Sequence, residues 1–306
     1  MDARKSGVVD VMIAGAAKSG TTSIKANLAE HPRIVAHPQM EFGYFQDPRE
    51  YKRGFNYAWN KYFDRYRAPD GKLMMAKNAG LMYNREAIIR LRDHNPRCRI
   101  ILILRDPVDR TYSSFLHSVA NGAQEAAPFD TYIREVVARK TLPDYRIHVE
   151  RSAYASYLSD LFEMFPREQI HIMLFEHFKE DSMRAIHQVC NFLDISSDTL
   201  SGAPRRHNET KAVRSATYAR VIRYVLNERN PVKQMVREIL PHRTALHLAE
   251  ALRKSNRTGS RPKPLSQPSR RFLQDFFESH NEDLESLLQL DLSCWRKPWN
   301  ASTEAV

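Results

Sequence analysis

The sequence predicts an α/β fold in three layers: a central parallel sheet, helices on both faces, and a helical C-terminal lid. Three observations carry that reading. An apolar run at residues 8–13 passes into a glycine loop and then into a helix-forming stretch that starts with hydroxyl residues, giving the order strand, loop, helix. A second apolar run, residues 99–104, is rich in Ile and Leu without alternation, as a strand buried on both faces requires. Strand-like and helix-like segments alternate through the first two-thirds of the chain, the pattern of βαβ units.

The elements follow in order. Residues 8–13 form the first strand, 15–20 a tight loop and 21–30 the first helix. Residues 33–36 give a short second strand, after which His37-Pro38 opens an irregular stretch through residues 41–45. Residues 48–66, polar and aromatic, give a helix with loops. A strand at 72–77, a helix at 84–94 and the strand at 99–104 come next, and Pro107 opens a helix that runs to about residue 118. Further helices fall at 129–139, 153–165 and 182–193, with a strand at 169–174 between the last two. Beyond Pro204 the pattern changes to basic amphipathic helices at 217–227 and 232–254, a proline-rich connector at 261–268, and a last helix to about residue 290. No internal repeat is visible. Residues 1–306 therefore read as a single domain, with 204–271 as a basic helical insertion that packs as a lid.

Composition excludes several classes. With 306 residues, 42% of them hydrophobic and 27% charged, the chain is long enough for a buried core and unlike a disordered or fibrous sequence. Its longest purely apolar run, residues 100–104, is far short of the roughly 20 residues a membrane helix needs. Cys98, Cys190 and Cys294 stand far apart, which argues against a disulfide framework or a cysteine zinc site. The first apolar stretch is interrupted by Asp10 and differs from a signal peptide. The expectation is a cytoplasmic protein in a reducing compartment.

The net charge of +11 is unevenly spread: residues 204–271 hold 17 Lys or Arg against 4 Asp or Glu, and the rest of the chain is about neutral. Such a basic face is either a solvated helical surface or a field that steers an anionic ligand, polymer or membrane surface.

Two segments carry chemistry. In Gly15-Ala16-Ala17-Lys18-Ser19-Gly20-Thr21-Thr22, backbone N–H groups and the positive end of the helix dipole converge where an anion such as phosphate is stabilised. The spacing is P-loop-like, but Thr21 stands where a nucleotide-binding P-loop has its lysine, and Lys18 lies inside the loop instead. The second segment is the strand at 99–104 with Arg105-Asp106-Pro107, Arg110 and Ser113. An arginine at the carboxyl end of a central strand faces the crevice in which such sheets bind ligands, and Ser113 follows about two helical turns on. Two other readings stand beside this one: Asp106 as a metal-binding aspartate ending an apolar strand, and Arg105 paired with Asp109.

Together and in this order, these segments resemble the sulfotransferases that use 3′-phosphoadenosine 5′-phosphosulfate, above all the carbohydrate (heparan glucosaminyl) and bacterial ones. The KxGTTxL loop corresponds to Lys18 through Ile24 and the RDPxxRxxSxF segment to Arg105 through Phe115. Glu41-Phe42-Gly43-Tyr44-Phe45 looks like the family's ExxFF segment, Lys77 ends the next strand, Arg151-Ser152-Ala153-Tyr154 is similar to its RSxY helix, and residues 284–295 resemble its ending. The resemblance covers roughly residues 8–195 and 264–295. It departs at Met40, often lysine, and at Asn78-Ala79, usually Thr-Pro, positions that bear on the acceptor more than on the donor.

The resemblance implies sulfuryl transfer from that donor to a hydroxyl acceptor. Lys18, Ser19, Gly20, Thr21, Thr22 and Ser23 would cradle the 5′-phosphosulfate; Arg105 and Ser113 would hold the 3′-phosphate, with Tyr154 as a further nucleotide contact; Arg214, outside the matched segments, is a candidate for the nucleotide from its charge alone. Glu41 would be the base, with Lys77 and Lys18 stabilising the developing charge, and no metal is required. The acceptor would be a carbohydrate, a glycolipid, a lipid alcohol or a secondary metabolite. The basic amphipathic stretch at 217–254 is expected either to pack on the core or to touch an anionic membrane. Two other classes stand beside this one: a small-molecule kinase, from the glycine loop and Asp106, and a non-catalytic polyanion binder, from the basic stretch. Nucleic acid is disfavoured, because no reading helix, zinc module or aromatic RNA platform is recognisable.

Overall fold

The computed structural model describes residues 7–63, 71–125, 127–199, 215–225, 255–256, 258 and 262–296. The chain resolves into two units, one of residues 1–106, 153–208 and 279–306, the other of residues 107–152 and 209–278.

The first unit holds a five-stranded sheet in the order β2-β3-β1-β4-β5, with every pairing parallel. Its strands are β1 Val11–Gly15, β2 Ile34–Ala36, β3 Leu73–Lys77, β4 Arg99–Leu104 and β5 Ile170–Leu174. β1 begins three residues later than its apolar run suggested and takes in Gly15, because its pairing with β3 and β4 starts at Val11. The sequence of β4 explains its central place. Ile100, Leu102 and Leu104 pack into a core with Met12, Ala14, Met74 and Ala76, while Ile101 and Ile103 pack with Val11, Ile13 and Met75 in a second core. Alternate side chains of each strand thus enter opposite faces, and both faces are dry.

Helix α1, Thr21–Leu28, lays Ile24 and Leu28 into the second core, together with Ile186 and Val189 of α9, Ser182–Phe192. The first core is closed by α4, Arg85–His94, α7, Tyr154–Met164, and the end of the last helix. The polar aromatic stretch after β2 forms two short helices, α2 Pro48–Tyr51 and α3 Phe55–Tyr62, parted by Gly54 at φ 79°. A further short helix, α8 Phe175–Glu180, follows β5 directly and was not foreseen.

The second unit contains α5, Pro107–Ala120, α6, Phe129–Ala138, α10, Ala216–Val225, and the first part of α11, Gln267–Leu288. Its core joins Val108, Phe115, Ile133, Val149, Leu273 and Phe277. Arg110 is 1% exposed and donates to the carbonyls of Ile147 and His148, pinning a turn of π-helix, Tyr145–Val149, to α5. Asp109 pairs with Arg270 at 2.6 Å, not with Arg105. The α10 helix lies where the first basic helix was expected, with Tyr218, Val221 and Tyr224 exposed. Arg214, the expected helix at 232–254 and most of the proposed insertion lie outside the described residues.

Candidate active site

The carboxyl ends of the parallel strands lie along one edge of the sheet, where backbone groups leave the ladder and ligands of such folds are bound. Each strand delivers a functional group within two or three residues of its end: His37 after β2, Lys77 closing β3, the Lys18 loop after β1, Arg105 after β4, and Glu176 after β5.

The loop after β1 turns through two residues in the left-handed region, Lys18 at φ 73° and Gly20 at φ 91°. A glycine takes the second without strain, and a Cβ there would meet the ring of Phe175 at 3.0 Å. Gly20 caps α1 with no side-chain hydrogen bond, so the first turn of the helix points amide N–H groups outward. Ser19 is fully buried, yet its Oγ has no hydrogen-bond partner among the described residues. Thr21 and Ser23 are buried beside it, and Thr22 is half-buried.

Arg105 approaches the same loop. Its Nη1 donates to the Lys18 carbonyl at 3.3 Å and its guanidinium lies 5.0 Å from the centre of the Phe175 ring. Its Nε is buried and has no partner among the described residues. The backbone around it is held from behind: the Tyr154 hydroxyl donates to the Arg105 carbonyl at 2.9 Å, and the Asp106 N–H donates to Glu176 Oε1 at 3.0 Å. Glu176 in turn accepts from the Trp295 indole N–H at 2.8 Å. Tyr154 is 1% exposed.

Glu41 lies in the irregular segment between β2 and α2 and is fixed by β3. Its Oε1 accepts from Lys77 Nζ at 2.7 Å and its Oε2 from the Ala79 N–H at 3.0 Å. The pair is asymmetric, since the Lys77 side chain is 1% exposed and that of Glu41 is 43% exposed. Lys77 also donates to the Met40 carbonyl at 3.0 Å, while Phe42 N–H donates to the Lys77 carbonyl at 2.7 Å. Behind it His37 accepts the Lys77 N–H on Nε2, and burial, then the charges of Lys25 and Lys77, push its pKa down to about 3. An imidazole that accepts on Nε2 carries its proton on Nδ1, which has no hydrogen-bond partner among the described residues. Ser113 is buried on α5, in the second unit.

The structure thus brings Lys18, Ser19 and Gly20 together with Arg105, and Glu41 together with Lys77. Four contributors escaped the sequence reading: Lys25, His37, Glu176 and Trp295. Lys25 carried no signal in the sequence, since a lysine on a helix ordinarily extends into water. Glu176 follows a strand end in the sheet, the same positional signal that marked Arg105.

Two buried donors without acceptors among the described residues, a nearby lysine and the start of α1 form a set suited to the oxygens of a phosphate-like anion. Among the described residues no group of His, Cys, Asp or Glu is arranged to hold a metal ion, and no helix is long and apolar enough to cross a membrane.

The sulfotransferase domain family matches residues 9–224. Over 288 residues the chain is 24% identical to the human bifunctional heparan sulfate N-deacetylase/N-sulfotransferase 3, covering 90% of this chain and 29% of that protein. Over 116 residues it is 27% identical to human carbohydrate sulfotransferase 15, covering 33% of this chain and 21% of that protein. The chain therefore spans less than a third of the length of these relatives. The crystal structure of a sulfotransferase from Alicyclobacillus acidocaldarius has the same fold, with a TM-score of 0.64 at 23% identity, covering 95% of this chain and 100% of that one.

Proposed function

The chain belongs to the sulfotransferase domain family, and on that premise we propose that it moves a sulfuryl group from 3′-phosphoadenosine 5′-phosphosulfate to a hydroxyl of a carbohydrate. The observation that carries this reading is the pair of orphaned buried donors, Ser19 Oγ and Arg105 Nε, beside the Lys18 loop. Burying a polar group without a partner costs roughly 1–3 kcal/mol, a cost that an anionic ligand at this edge would offset. Family membership over residues 9–224 also separates this reading from the kinase and polyanion-binder alternatives.

The donor supplies an activated sulfuryl group, and the residues divide the remaining work. The loop amides and Ser19 hold the anionic end, and Lys18 neutralises charge that builds on the departing phosphate. Arg105 holds the ribose phosphate, with Ser113 assigned to the nucleotide by the family resemblance and Arg214, outside the matched segments, as a further candidate contact. Glu41, partly exposed and oriented by Lys77 and the Ala79 N–H, takes the proton of the attacking hydroxyl, a contribution of about 10² to 10⁴ in rate. Lys77, with its charge fixed in a buried position, stabilises the transition state on the acceptor side.

The acceptor class draws on the relatives. One is named a carbohydrate sulfotransferase and another an N-sulfotransferase of heparan sulfate, which adds a sugar amine to the candidate nucleophiles. Calorimetric titration with adenosine 3′,5′-bisphosphate tests the donor assignment: the wild-type chain binds it, whereas Lys18→Ala and Arg105→Ala lose most of the affinity. Full affinity in Arg105→Ala would remove that residue from the site.

A further inference from the structure

We propose that Lys25 is a positioning residue for Glu41, sharing with Lys77 the task of fixing the irregular segment that carries the carboxylate. The inference rests on the sulfotransferase reading above, in which Glu41 is the base. Residues 37–41 belong to no helix or strand, so no ladder of backbone hydrogen bonds sets the position of Glu41. Two buried ammonium groups take that part. Lys25, 9% exposed on α1, donates from Nζ to the Gln39 carbonyl at 2.5 Å. Lys77, from β3, donates to the Met40 carbonyl at 3.0 Å and to Glu41 Oε1 at 2.7 Å. Three consecutive residues, 39, 40 and 41, are therefore each held by a lysine whose own backbone is locked in the sheet or in the helix packed on it.

The arrangement is electrostatic as well as mechanical. The charged or titratable groups facing Lys25 are Lys77 from β3 and Glu41 and His37 from the irregular segment. His37 is neutral, so the local balance is two cations against one carboxylate. Packing alone would be served by Leu or Met at residue 25; a lysine there adds a charge at the cost of its hydration. Burial first, then the charge of Lys77, push the Lys25 ammonium down to about 8, with Glu41 acting in the opposite direction. Below that pH Glu41 sits beside two cations, and above it beside one.

Two measurements test the role. In the first, the Nζ of isotopically labelled Lys25 is titrated by NMR in the wild type, Glu41→Gln and Lys77→Met. The expected result is a midpoint near 8 that falls when the Glu41 charge is removed and rises when that of Lys77 is removed. A Lys25 midpoint indifferent to Glu41→Gln overturns the proposal. In the second, transfer from radiolabelled donor to a heparan-type polysaccharide bearing both free hydroxyls and free glucosamine amines is followed against pH. Here Lys25→Met lowers kcat by about 10- to 100-fold with the donor KM unchanged. Wild-type kcat falls as pH rises through about 8, and Lys25→Arg restores kcat while moving that fall to higher pH. A Lys25→Met enzyme with the wild-type kcat and pH profile overturns the role as well. Failure of the underlying reading looks different: wild-type protein that neither binds adenosine 3′,5′-bisphosphate nor transfers label, while the NMR coupling remains measurable.

Discussion

The Lys77 ammonium is sealed from solvent and lies 2.7 Å from a Glu41 carboxylate whose side chain is 43% exposed. The buried partner fixes the exposed one. Glu41→Gln keeps the shape and the hydrogen bond from the Ala79 N–H but removes the base, so donor affinity stays and kcat falls by about 10² to 10⁴. Lys77→Met removes a buried charge whose partner can still reach water. It lowers kcat and leaves the fold intact, as steady-state kinetics beside circular dichroism would show.

Ser19 separates stability from binding. Its buried Oγ has no partner among the described residues, so Ser19→Ala deletes an unsatisfied group and leaves stability unchanged or slightly raised, within about 1 kcal/mol. The same change weakens adenosine 3′,5′-bisphosphate binding, because the amides lose a helper at the anion. A variant that unfolds earlier and binds as before contradicts the assignment of Ser19 to the donor.

Tyr154 was expected to touch the nucleotide, and the structure gives its hydroxyl to the Arg105 carbonyl at 2.9 Å. Tyr154→Phe therefore acts through Arg105. We expect a loss of stability of about 1 kcal/mol and a several-fold loss of donor affinity, smaller than that of Arg105→Ala. An affinity loss as large as that of Arg105→Ala would indicate direct contact with the ligand.

Most of this site was legible because parallel α/β sheets put ligands at strand ends, and the strand ends could be read from apolar runs. Residues 99–104 met their strand boundaries residue for residue, which placed Arg105 at the edge. The spacing of Gly15 and Gly20, between an apolar run and a helix start rich in hydroxyls, marked the loop. What stayed hidden depended on contacts distant in sequence. His37 and Lys77 meet because β2 and β3 pair; Glu176 and Trp295 meet across 119 residues. Lys25 was hidden for another reason: a lysine on a helix ordinarily extends into water, and only packing against residues 37–41 buries this one.

Gly20 combines a left-handed backbone, φ 91°, with an aromatic ring 3.0 Å from where a Cβ would stand. Gly20→Ala pays twice, in backbone strain of about 1–2 kcal/mol and in displacement of Phe175. Phe175 also lies under the Arg105 guanidinium, so the displacement reaches the nucleotide site. The variant should melt several degrees lower and bind adenosine 3′,5′-bisphosphate weakly, measured by thermal shift with and without the nucleotide. Wild-type affinity in this variant would show that the loop is not under the constraint described.

Stability should decline with acid in a range set by buried histidines. His37 and His148 are each 1% exposed; burial, the largest cause for both, pushes their pKa values down from 6.5 to about 3 and about 4. For His37 the charges of Lys25 and Lys77 add to the effect. For His148 Asp144 opposes it, while Arg110 and Arg151 add to it. Between pH 6.5 and about 4 the unfolded chain therefore binds protons that these folded side chains refuse, and the free energy of unfolding drops as pH falls. Each histidine contributes up to about 1.4 kcal/mol per pH unit in that window. His37→Gln retains an acceptor for the Lys77 N–H but cannot take a proton. Its denaturation midpoint should fall less steeply than that of the wild type between pH 6.5 and 4.5. If both proteins lose stability at the same slope, His37 is not the group that titrates, and the sealed pocket behind Lys77 must admit water.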